Sequence, residues 1–87
     1  MTASIESTIF SDLENLEQAL SEDLSGDRAR AMIRYFDEVA RESSAMRIQA
    51  EIDAERQLIG QLVDAFQVSQ RVIRKIWETL HGTTLAV

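Results

Sequence analysis

No cysteine and no proline occur in the 87 residues, and histidine appears once, as His81. Without cysteine no disulfide can staple a small fold, and without a His/Cys cluster no structural metal can replace one. Without proline no turn is locked in advance. The three glycines, Gly26, Gly60 and Gly82, are scattered, so no phosphate-cradling loop can be assembled from them. No apolar run approaches the roughly 20 residues that cross a bilayer. Met1-Thr2-Ala3-Ser4-Ile5-Glu6 lacks the basic segment and apolar stretch of an export leader. A cytoplasmic protein is expected, without a membrane span, and the lack of cysteine fits a reducing compartment. A chain this short forms one domain and hides a smaller fraction of its surface than a larger one. Helix packing, within the chain or between chains, has to supply the stability.

Positive charge is missing from the first 27 residues. Glu6, Asp12, Glu14, Glu17, Glu22, Asp23 and Asp27 stand there with no Lys or Arg, whereas residues 28 to 87 carry nine basic side chains against eight acidic ones. The net charge of −6 gains nothing from the counterion release that drives binding to nucleic acid, so no nucleic-acid partner is expected. Arg71, Arg74 and Lys75 beside Trp77 are the counterargument, since cations around an aromatic ring can grip a single strand. The simpler reading places these cations at a helix end, where they favour the negative pole of its dipole.

What the chain does have is helical periodicity. Ile5, Ile9, Leu13, Leu16, Leu20 and Leu24 step by four or three and form one aliphatic stripe, with the acids opposite. They predict a helix over about residues 4 to 24. Gly26 can take a left-handed conformation at the turn 25 to 27, and Asp27 suits the N-cap of the next helix. Ala29, Met32, Phe36, Val39, Ser43, Met46 and Ala50 then form a first seam. A second seam follows through Ile48, Ile52, Glu55, Ile59, Leu62, Phe66, Ser69, Ile73, Ile76 and Leu80. The two are offset by two residues, roughly 200° around a helix. Either the chain breaks near Glu42-Ser43-Ser44-Ala45, giving helices over about 28 to 42 and 46 to 81, or one long helix shows two seams to two partners. The serine pair favours the break. The expected fold is all-α, a helical hairpin or three-helix arrangement with a long C-terminal amphipathic helix and a tail over 82 to 87.

The second seam holds more apolar surface than the shorter helices can cover. It continues through Ile73, Ile76 and Leu80 with Trp77 beside it, and tryptophan is the residue type that most often anchors an interface. Ile59, Leu62, Phe66, Ile73, Ile76, Trp77 and Leu80 are therefore the expected partner-binding residues. Gly60 lies within this seam, where its lack of a side chain would let another helix approach closely. Chemistry is sparse by comparison. Glu78 and His81 have the Glu-x-x-His spacing of di-iron bundles, but one copy at a helix end fits a solvated histidine better. Glu51, Asp53 and Glu55 fall on different faces, and Arg47 with Glu51 reads as a surface pair. No Ser-His-Asp or Cys-His set can be assembled, so no catalytic residues, cofactor, metal or small-molecule substrate are expected.

Two family resemblances can be traced. Ile52-Asp53, Gln57-Leu58-Ile59, Leu62, Ser69-Gln70-Arg71-Val72-Ile73 and Lys75 look like the first helix of the all-helical chorismate mutases. Where that family uses an Arg to hold a substrate carboxylate, this chain has Ala65-Phe66. Leu16-Glu17-Gln18-Ala19-Leu20, the turn Ser25-Gly26-Asp27, and Arg41-Glu42-Ser43 with Ala45 are similar in order and spacing to the small helical-hairpin co-chaperones of bacterial type III secretion, which help keep the needle subunit soluble before export. That resemblance implies a cytoplasmic bacterial adaptor that buries an amphipathic helix of an export substrate together with a second chaperone subunit. Periodicity leads to the same expectation, a helical adaptor or chaperone for a protein partner. The alternative is a self-assembling homo-oligomeric structural or regulatory helical protein in which the second seam packs on its own copy, and a chorismate-mutase-like enzyme is the remote alternative.

Overall fold

The computed structural model describes residues 2 to 86, with side chains from residue 8 onward. Ile5 of the first stripe and Val87 of the tail lie outside the described side chains. The fold is all-α, with four helices in the order α1 (Thr2–Glu14), α2 (Leu16–Glu22), α3 (Asp27–Gln49) and α4 (Asp53–His81). Helices α3 and α4 form the main antiparallel pair, and α2 lies across both near one end of a molecule measuring 45 × 28 × 20 Å.

The expected helix over 4 to 24 is two helices. Asn15 leaves helical geometry at φ −125° and ψ 48°, although its carbonyl still accepts from Ala19 N at 2.8 Å. Asn competes with the helix for its own backbone, which is why it favours such points. The kink keeps Ile9, Leu13, Leu16 and Leu20 on the core, whereas α2 ends at Glu22 and Leu24 turns out to 82% exposure. Nor are all the acids of this segment on the outside. Asp12 is buried and receives a two-pronged contact from Arg28, at 2.7 and 3.3 Å. Asp23 is buried too, and its carboxylate accepts from Arg28 N at 3.1 Å and Ala29 N at 2.9 Å. It thereby performs the N-capping that the sequence suggested for Asp27, which instead lies inside the first turn of α3. Gly26 precedes α3 in the left-handed conformation, φ 83°.

The break expected at residues 42 to 45 is displaced. Helix α3 runs through Ser43 and Ser44 to Gln49, and the chain reverses over Ala50, Glu51 and Ile52, two of which have extended dihedrals. No residue near Ser43 forces the helix to stop, and the i→i−4 ladder continues until the first seam is exhausted: Ser43 is half-buried, but Met46 is 60% exposed. Continuing the helix would turn the second seam away from the first, and the reversal brings the two face to face. It also takes Glu51 off the helix, so the helical pairing read for Arg47 and Glu51 does not apply.

The core groups Ile9, Leu20, Ala29, Met32, Ile33, Ile73, Trp77 and Leu85. An aromatic string crosses the layers beside it. Phe10 meets Tyr35 edge-on at 6.0 Å, Tyr35 meets Phe36 at 5.6 Å, and Phe36 stacks on Phe66 at 6.0 Å. The tail, which the sequence left unread, folds back. Gly82 ends α4 in the left-handed conformation, φ 66°, and Leu85 is inserted into the core at 1% exposure. Leu85 N donates to Glu78 Oε2 at 3.0 Å, and Arg30 donates to the Ala86 carbonyl at 3.0 Å.

Candidate partner-binding surface

Helix α4 carries two apolar stripes side by side, and they have different fates. The inner stripe, Phe66, Ile73 and Trp77 with Val63, faces α3 and the core. The outer stripe, Leu58, Leu62, Ala65, Ser69, Val72, Ile76 and Leu80, steps by four or three residues and so stays on one side of the helix. Leu58, Leu62, Val72 and Leu80 remain between 41% and 58% exposed. Ser69 interrupts the stripe only in name, since its hydroxyl donates to the Ala65 carbonyl at 2.8 Å. Its polar group is thus paired within the helix itself.

The seven residues singled out from the sequence therefore divide. Ile73 and Trp77 belong to the chain's own core, at 2% and 4% exposure. Ile59, Phe66 and Ile76 are half-buried, and Leu62 and Leu80 are exposed. Leu58 and Val72 were passed over because the seam was read with a single centre. The signal was available: each lies one position before a seam residue, so the apolar arc was wider than one seam.

Near its C-terminal end the outer stripe becomes one wall of an open groove of about 470 Å³, lined by Leu16 and Glu17 of α2 and by Lys75, Ile76, Thr79 and Leu80 of α4. A second groove of about 300 Å³ lies between α3 and α4 and is lined by the polar residues Asp37, Gln67, Gln70, Arg71 and Arg74 with Ile33. The tip of the α3–α4 hairpin exposes Met46, Ile48 and Ile52.

Polar chemistry at the closed end of the molecule serves the fold. Trp77 Nε1 donates to the Asp23 carbonyl at 2.8 Å, and the residue is only 4% exposed, so the ring offers no free face on which a base could stack beside Arg71, Arg74 and Lys75. His81 is half-buried rather than solvated: its ring stacks on Trp77 at 4.4 Å, and Nε2 lies 2.7 Å from the Leu20 carbonyl. A carbonyl only accepts, so Nε2 carries the proton. Glu78 turns to Leu85 N and Arg74 instead of sharing a site with His81. The Leu85 N–H, and after it Arg74 and Lys75, hold the Glu78 carboxyl below its ordinary value of 4.5. Among the described residues no group of three or more His, Cys, Asp or Glu is placed to hold a metal ion, and no helix is long and apolar enough to cross a membrane. At the position where the chorismate mutases use Arg, Phe66 is stacked on Phe36.

No curated protein and no solved structure matches the chain. A family model does, described as type III secretion system regulatory protein HrpD6, and it matches residues 2–79. The match takes in all of α1, α2 and α3 and all but the last two residues of α4, so it contains nearly the whole hairpin and nearly all of the outer stripe. The chain belongs to the HrpD6 family of type III secretion system regulatory proteins.

Proposed function

We propose that this protein acts in type III secretion as a non-enzymatic cytoplasmic adaptor that receives an amphipathic helix of another protein on the outer stripe of α4. The observation that carries this reading is the unshared apolar face itself. Leu58, Leu62, Val72 and Leu80 form a continuous helical stripe about half exposed, in a chain whose core is already closed by Trp77 and Leu85. A face of this kind marks an interaction site on a small protein. Its helical spacing matches the way one helix reads another, by anchors three and four residues apart. The family's regulatory role agrees with a protein that works by association.

The test uses a double variant, Leu62→Asp with Val72→Asp, in cells that lack the native chain. The two sites are exposed, so helicity and melting should match the native protein while type III export falls to the level of the deletion. A folded double variant that supports export at the native level overturns the proposal. Light scattering of the purified chain separates the homo-oligomer reading: a stable dimer that the same substitutions dissolve places a second copy on this face instead of a different protein.

A further inference from the structure

The groove between α2 and α4 has rims of opposite charge, and this specifies what fits it beyond being apolar. Glu17 stands on the α2 wall and Lys75 on the α4 wall, and Leu16, Ile76, Thr79 and Leu80 complete the lining. The α2 rim belongs to a segment that contains no Lys or Arg before Arg28. On the α4 wall the basic side chain is Lys75; Arg71, one turn before it, lines the groove between α3 and α4 instead. The chain also shows what kind of object seats against this part of α4. Helix α2 lies there, with Leu16 half-buried and Leu20 fully buried. Yet α2 has only seven residues, whereas the outer stripe runs from Leu58 to Leu80, roughly 33 Å at 1.5 Å per residue.

Resting on the adaptor reading above, we propose that the groove takes an amphipathic helix with acidic residues along one flank and basic residues along the other, and that the Glu17 and Lys75 rims fix its direction. The reason is geometric. Turning a helix end for end in a groove keeps its apolar face down but exchanges its two flanks. A helix with unlike flanks therefore meets opposite charges in one direction and like charges in the other, and like charges held across an interface select against the wrong arrangement.

The experiment uses two synthetic helical peptides of about six turns and equal composition, each with leucines at alternating three- and four-residue spacing. One has Glu on its left flank and Lys on its right, and the other has the flanks exchanged. Because the chain lacks cysteine, Thr83→Cys gives a single attachment point for a donor dye near the Leu80 end, and each peptide carries an acceptor at its N-terminus. Binding is read by anisotropy and direction by energy transfer. The expected result is strong transfer for one peptide and near-background transfer for the other, with the order reversed in the double variant Glu17→Lys, Lys75→Glu. If both peptides bind with equal transfer, or the charge exchange leaves the order unchanged, the direction proposal is overturned while the adaptor reading stands. If neither binds, both fail.

Discussion

Asp23 shows how much a single residue can hold. Its carboxylate accepts the first free N–H groups of α3, and its carbonyl accepts from Trp77 Nε1 and from Gly26 N. Three helices are tied to one side chain and one peptide group. Asp23→Ala leaves two buried-end donors without a partner and should cost about 2 kcal/mol, the upper end of the range for a helix cap. Asp23→Asn keeps one acceptor and should lose roughly half as much. Urea unfolding of the two variants checks this, and equal losses would mean the carboxylate does not act as the cap. Glu78 makes the same argument through pH. Its native carboxyl titrates below 4.5, so the folded state holds the charged form more firmly than the unfolded chain does. The stability this contributes is complete above 4.5 and is lost as pH falls through and below that value. Melting temperature measured on acidification should therefore drop less steeply in Glu78→Gln than in the native protein, and identical slopes would contradict the Leu85 contact as its cause.

At the scale of the elements, two glycines predict opposite outcomes. In Gly60→Ala the new Cβ would lie 3.3 Å from Arg47 Cζ, the movable end of a long side chain. Alanine favours the helix by about 1 kcal/mol over glycine, so this variant should melt at a higher temperature. In Gly26→Ala the backbone is at φ 83° and the new Cβ would lie 2.5 Å from Leu85 Cδ1, so the variant should be destabilised by about 1 to 2 kcal/mol or more. Differential scanning calorimetry of the pair gives both signs. In place of the helix expected close to Gly60, the nearest atoms belong to the Arg47 side chain. The seams were legible because helix periodicity is written locally: the stripe from Ile9 to Leu20 and the inner residues of α4 follow directly from spacing. The breaks were not. Asn15 and Ala50 to Ile52 interrupt the helices without glycine or proline: Asn15 is only a weak local signal, and the reversal at Ala50 to Ile52 follows from the packing of the two seams against each other. The width of the apolar arc on α4 was also hidden, because spacing alone does not say which part of a broad face the chain covers itself.

Across the whole molecule, order is concentrated at one end. The closed end holds the buried cluster of Leu20, Met32, Trp77 and Leu85 with the Asp12–Arg28 and Asp23 contacts, whereas the hairpin tip exposes Met46, Ile48, Ile52 and Leu58. Local opening costs least where few apolar contacts are lost. Amide exchange should therefore be slowest around Leu20, Ala29, Met32 and Ile73, and fastest between residues 46 and 58 within the hairpin. Uniform protection along α3 and α4 would refute this gradient. The position of Leu85 in the core also sets a schedule during synthesis. Every other member of that cluster has been made by the time Trp77 is added, but the leucine that completes it is added eight residues later. Until residue 85 is added, the nascent chain keeps an open apolar seat beside Gly26, and only after that can the buried cluster close.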